Sequence, residues 1–207
     1  MLAAVQNLYQ TNSERVSALI DKRYCELSTD LEKDFCDQLL HLYIHPEAFD
    51  SSAFEKTDLI TVLKYLRITH HYYLNTRLPE IEQTINQLLF SDISSQKIKR
   101  IALFFTAYRL KLQHHIQKEE DGILKHIDET LSGLPFNLKI VEDFIKEHDD
   151  IDSILSYVNE LLADIGMNKQ ISLISLLSAQ IEMLMIDLYI HGKIEDEVFI
   201  QKVLNIE

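Results

Sequence analysis

Glycine and proline are nearly missing from this chain, which has 4 of one and 3 of the other in 207 residues. Few turns are therefore written into it, which argues against a turn-rich β architecture and for a nearly all-helical protein. Cysteine is scarce as well. Cys25 and Cys36 make neither a CxxC pair nor a disulfide framework, so they read as reduced, structural side chains that behave as small hydrophobes. No basic run tracks a phosphate backbone, and 20 Lys+Arg stand against 33 Asp+Glu for a net charge of −13. Nucleic acid is not an expected partner. The acidic balance aids solubility and favours cation uptake. The opening MLAAVQNLYQTNSER lacks a basic start, an apolar run and a cleavage site. No uninterrupted stretch of 18 apolar residues occurs, so no membrane partner is expected and the expected location is cytoplasmic.

What the chain does have is apolar residues at helical spacing, 46% of the total, enough for a sizeable core. Residues 3–44 read as two shorter helices broken near Ser28-Thr29-Asp30. Residues 45–57, HPEAFDSSAFEKT, carry the richest loop signal, with Thr57 or Ser52 available to cap the next helix. A helix over 58–90 should bend or restart at Pro79, which lacks a backbone donor. Residues 90–97 form a connection. Further helices are expected over 96–130, ending at Ser132-Gly133-Leu134-Pro135, over 136–165, and over 170–204 with Gly192 as a weak point. Four long helices joined by short loops imply an all-α, antiparallel four-helix bundle over 58–204, preceded by a helical extension over 1–55.

Six polar residues interrupt the apolar stripes of these helices. The stripes read His71, Leu74, Leu78, Ile81, Ile85, Leu88; Ile101, Phe105, Tyr108, Leu112, His115, Glu119, Ile123; Val141, Phe144, His148, Ile151, Leu155, Val158, Leu162; and Leu177, Ile181, Leu184, Leu188, His191, Glu195, Val198. Buried carboxylates cost several kcal/mol each, as an order of magnitude, unless a cation or hydrogen bonds compensate. His115–Glu119 and His191–Glu195 are both His-x-x-x-Glu pairs, so each histidine can ligate one metal while the glutamate one turn on reaches a second. His71 and His148 add an imidazole each. Imidazole with carboxylate suits iron, manganese or zinc better than thiolate-seeking metals. No histidine has a glutamate three residues before it, which disfavours the ferritin-like Glu-x-x-His arrangement. His70 and His114 adjoin these ligand candidates and replace them if the register slips by one. His41, His45 and His126 read as structural or solvated, as do Glu120 and Asp121. Tyr72 and Tyr73 read as packing residues.

His71-x6-Leu78-Pro79-Glu80, His115-x3-Glu119-Glu120, Glu147-His148-Asp149 and His191-x3-Glu195 together resemble the hemerythrin-like domain of bacterial repair-of-iron-centres proteins. The resemblance covers roughly residues 58–204. It implies a hemerythrin-like four-helix bundle holding two non-haem iron ions, with His71, His115, His148 and His191 as terminal ligands and Glu119 and Glu195 as bridges. It also implies a role in restoring iron–sulfur clusters damaged by nitric oxide or oxidants. The family's further histidine after the Leu-Pro-Glu segment has no counterpart in Gln87-Leu88-Leu89-Phe90-Ser91-Asp92, which leaves that position to Asp92, water or nothing. No Cys-Cys pair occurs in residues 1–55.

The leading expectation is an iron-binding protein, not a small-molecule enzyme, that supplies iron to apo or damaged iron–sulfur proteins. The alternatives are an O2- or NO-binding sensor or carrier whose amino-terminal helices signal or form a homodimer, and a metal-free bundle used for protein contacts.

Overall fold

The computed structural model describes residues 30–91, 95–147, 158, 161, 162 and 171–206. Among the described residues there is no strand. Helix α1 (Asp30–Ile44) leads through two 3-10 turns, Pro46–Ala48 and Ser51–Phe54, to α2 (Leu59–Tyr72). The Asp58 carboxylate caps α2 by accepting from the Thr61 amide at 2.6 Å, a task the sequence pattern assigns to Thr57 or Ser52. A π turn over Tyr73–Arg77 joins α2 to α3 (Leu78–Leu89). Pro79 sits in the first turn of α3, directly after the π turn.

Helix α4 (Gln96–Glu119) starts at Ser95, whose hydroxyl accepts from the Ile98 amide at 3.4 Å. A π turn, Glu120–Leu124, carries it into α5 (Lys125–Leu131). The chain then breaks at Gly133, whose φ of 97° is open to glycine and strained for other residues. Helix α6 covers Leu138–Glu147. The last rod is α7 (Ile171–Ile194), a π turn over Glu195–Phe199 and α8 (Ile200–Leu204), and it passes through Gly192 unbroken. The first of the two expected amino-terminal helices, and most of the carboxyl-terminal part of the helix expected over 136–165, fall outside the described residues.

Two apolar clusters fill the interior. One gathers Phe35, Leu39 and Tyr43 of α1 with Tyr65, Leu66, Ile123, Ile127, Val141, Ile190, Ile194 and Phe199. The other gathers Tyr73, Leu78, Ile81 and Ile85 with Ile101, Phe105, Tyr108, Leu112, Leu177, Ile181 and Leu184. Truncating a fully buried member such as Leu184 or Ile181 to alanine is expected to cost about 2–5 kcal/mol. Phe35, Leu39 and Phe54 share a cluster with the carboxyl-terminal helix, so the described part of the extension completes the bundle's core.

Ser172–Leu204 is, among the described residues, the helical stretch long and apolar enough to cross a membrane by length and composition, with a mean hydropathy of 1.6 in its best window. It contributes to both interior clusters, and it buries Asp187, His191 and Glu195.

Candidate metal centre

A polar layer lies between the two apolar clusters. Along the first rod, Leu66 of one cluster is followed by buried Thr69 and His70 and then by Tyr73 of the other. Along the second, Ile116 is followed by Glu119 and then Ile123. On α7, Leu184 gives way to Asp187, His191 and Glu195.

The three π turns among the described residues all stand at this level. They begin at Tyr73, Glu120 and Glu195, next to or within the polar set. A π turn carries one residue more than an α turn, and such turns often mark functional sites. Its effect on register is visible in the first rod. Counting back from Leu78 at α spacing reaches Leu74 and His71. The extra residue moves the buried face to Tyr73 and His70, which are 1% and 3% exposed. His71 is exposed, with the Asn75 side-chain amide 3.1 Å from its Nδ1. The expected ligand His71 is thus replaced in the layer by its neighbour His70. His115–Glu119 precedes its π turn and His191–Glu195 ends on the first residue of its own, so the one-turn spacing of each pair is kept.

The side chains form two overlapping groups. Ligand atoms of His70, Glu119 and His191 lie within 4.8 Å of one another, and so do those of His115, Glu119 and Glu195. Glu119 belongs to both. Its Oε2 is 3.1 Å from His70 Nε2 and its Oε1 is 2.6 Å from His115 Nε2. Neither contact is aligned as a hydrogen bond, and His70 Nε2 and both Glu119 oxygens find no hydrogen-bond partner. A buried imidazole nitrogen and a buried carboxylate this close, yet aimed past one another, suit a third body that both can ligate. His191 Nε2 is 3.9 Å from Glu195 Oε2. The rings of His70 and His191 are 5.0 Å apart.

The outer nitrogens are held as well. His70 Nδ1 lies 2.7 Å from Glu120 Oε1, and His191 Nδ1 lies 2.8 Å from Thr69 Oγ1. Tyr73 packs against His191 at 5.7 Å between ring centroids and donates its hydroxyl to the Asp187 carbonyl at 3.0 Å. Glu120 and Thr69 carry no sequence signal of such a role, because each becomes visible only once the opposing helix is known.

The electrostatics suit a bound cation. Burial pushes the Glu119 carboxyl up, but the imidazoles of His115 and His70 more than reverse this and hold it well below the usual carboxylate range. Burial, with the Glu119 and Asp196 charges, pushes Glu195 well above that range. Burial pulls His70 down, and Glu119 and Glu120 more than reverse it, so the imidazole is raised. Raised Glu195 faces lowered Glu119, an arrangement that favours a proton or a cation between the two carboxylates. Dications would replace that proton, as carboxylate-rich sites require.

His148 and Asp92 fall outside the described residues. Of the other histidines, His114 and His41 are exposed, and His45 stands beside Glu47 at 3.6 Å. His126 is buried and its Nε2 accepts the Asn137 amide at 3.0 Å, which ties down the loop after α5. A cavity of about 190 Å³ opens beside the centre, with His115 and Glu119 on its wall and Gly122, Ile123, Ile140 and Phe144 around it.

Residues 62–203 match the family model described as the hemerythrin HHE cation binding domain. No curated protein matches the chain, and no solved structure does.

Proposed function

This chain belongs to the hemerythrin HHE cation-binding domain family, and on that premise we propose that it is a non-haem diiron protein. The chain is a hemerythrin-like, metal-binding helical bundle; iron as the metal, and a pair of ions, are the finer reading. One observation carries it: Glu119 is shared by two three-residue groups of ligand atoms, each within 4.8 Å. A carboxylate in that position would serve both groups and would offset the mutual repulsion of two ions. The donor set is imidazole and carboxylate without thiolate, which suits iron. His70, His191 and Glu119 would hold one ion, and His115, Glu195 and Glu119 the other. When bound, such a pair supplies Lewis acidity and one-electron chemistry toward small ligands.

For the cellular role we propose supply of iron to damaged or apo iron–sulfur proteins in the cytoplasm. The motifs around His115-x3-Glu119-Glu120 and His191-x3-Glu195 support it, as does the partial exposure of His115, 18%, which gives one ion a route out of the bundle. The cavity beside His115 and Glu119 favours a second reading, binding of O2 or NO as a sensor or carrier. Anaerobic iron loading followed by metal analysis tests the diiron centre, with about two irons per chain expected. Finding one tightly held zinc, or no metal, overturns it. Incubating the loaded chain with an apo iron–sulfur protein separates the two roles. Iron should appear in the acceptor in the first, and stay on this chain in the second.

A further inference from the structure

Each imidazole of the His70, Glu119 and His191 group is gripped from behind by a residue to which the motif pattern assigns no ligand role. Thr69 donates its hydroxyl proton to backbone carbonyls of its own helix, at 2.7 Å to Leu66 and 3.0 Å to Tyr65. A hydroxyl has one proton, so toward His191 Nδ1, 2.8 Å away, its oxygen accepts. That arrangement calls for a proton on His191 Nδ1. Glu120 makes the equivalent contact with His70 Nδ1 at 2.7 Å, and a carboxylate accepting there calls for a proton on His70 Nδ1 as well. In a neutral imidazole the lone pair is then on Nε2. For both rings Nε2 is the atom that faces the acidic side of the layer, 3.1 Å from Glu119 for His70 and 3.9 Å from Glu195 for His191.

Glu120 is itself held. The Arg67 guanidinium lies 3.6 Å from its Oε2, and Arg67 is anchored by Asp128 at 2.5 Å and by the Leu124 carbonyl at 3.4 Å. The three anchors, Glu120, Leu124 and Asp128, all come from the π turn and the helix after it. The π turn that starts at Glu120 therefore places successive residues Glu119 and Glu120 on the two nitrogens of one ring.

We propose that Glu120, held by Arg67, and Thr69 are positioning residues that fix His70 and His191 as Nδ1-protonated rings with Nε2 presented to a bound cation. This rests on the metal-binding reading above. Partners of this kind are typically worth 10- to 100-fold in metal affinity.

The test uses the full chain with Fe(II) and with diamagnetic Zn(II). Fe(II) affinity is read by competition with a coloured chelator. In the Zn(II)-loaded, 15N-histidine-labelled protein, NMR reads which ring nitrogen carries a proton. In the parent chain both rings should show a slowly exchanging Nδ1–H. Glu120→Ala and Thr69→Val should weaken Fe(II) binding about 10- to 100-fold. They should also expose the matching Nδ1–H to exchange. Glu120→Gln and Thr69→Ser keep an acceptor oxygen and should retain most of the affinity, including where the harsher variants fail to fold. A role in folding alone would leave ring protonation and the difference between Val and Ser unchanged. Affinities within threefold of the parent in all four variants, or an Nε2–H on either ring, would overturn the proposal while leaving metal binding intact. No Fe(II) or Zn(II) binding by the parent chain would overturn both, and that is measured first.

Discussion

His70 Nε2 stands 3.1 Å from Glu119 Oε2 across two helices, and the two atoms share no hydrogen bond. Burying a carboxylate and an imidazole without satisfying them costs several kcal/mol as an order of magnitude. The arrangement makes sense as a pair of ligands whose common partner is a cation, and most of the predictions below test that relationship.

The register of the first rod decides which of two adjacent histidines matters. His70→Ala should lose iron, about one ion per chain, because one of the two groups loses an imidazole. His71→Ala should bind like the parent, since His71 is exposed. Glu119→Ala should lose both ions, as it removes the carboxylate common to both groups. Metal analysis after anaerobic loading reads all three. Iron loss in His71→Ala equal to that in His70→Ala would refute the register.

The metal-free chain should lose stability as pH rises from about 5 to 8. Glu195 is raised above its ordinary value of 4.5, and His70 above 6.5. A group raised in the folded state stabilises fully below its unfolded pKa, and that stability is lost as pH climbs through the folded pKa. Glu195 acts so above about 4.5 and His70 above about 6.5. Glu119 is lowered, so its stability is present above 4.5 and is lost only in acid. Metal loading displaces these protons, so the loaded chain should gain stability over the same range. Urea midpoints at pH 5.5 and 8, with and without metal, check this. A metal-free midpoint that rises with pH would contradict it.

Arg77 and Asp187 form a buried pair next to the centre, 3.5 Å apart, with side chains 6% and 1% exposed. Removing one partner leaves the other charge buried with less compensation, although Arg77 keeps Glu80 at 3.6 Å. Arg77→Leu or Asp187→Leu should cost about 3–5 kcal/mol, and the double substitution should cost much less than the sum. Urea unfolding of the four proteins gives the coupling. Additive losses would mean that the two charges do not support one another.

Gly122 lines the cavity beside His115, and a Cβ added there meets nothing within 4 Å. Gly122→Leu should place its side chain in that opening. The loaded protein should then bind azide and NO at least tenfold more slowly, as a blocked path rather than an altered site requires, with iron content unchanged. Stopped-flow absorbance reads the rate. Unchanged rates would show that ligands reach the iron elsewhere.

The amino-acid sequence by itself determined the helical class, the rods over 58–90, 96–130 and 170–204, the stop at Gly133 and the two His-x-x-x-Glu pairs. These are local properties: scarcity of glycine and proline, apolar spacing, and one-turn geometry that holds wherever the helix is regular. Pro79 at the start of α3 and the stop at Gly133 belong to the same kind. Tertiary structure decided what depends on more than one helix. The π turn over Tyr73–Arg77 carries no residue signature, because it answers to the packing of its two ends in different clusters. It moved the buried position from His71 to His70. Glu120, in an acidic run that reads as a solvated face, became the partner of His70 only because Arg67 and His70 approach from the neighbouring rod. Thr69, likewise, has meaning only with His191 from α7 against it. A single sequence writes spacing along each helix, whereas which faces meet, and at what level, is set by burying all of them at once.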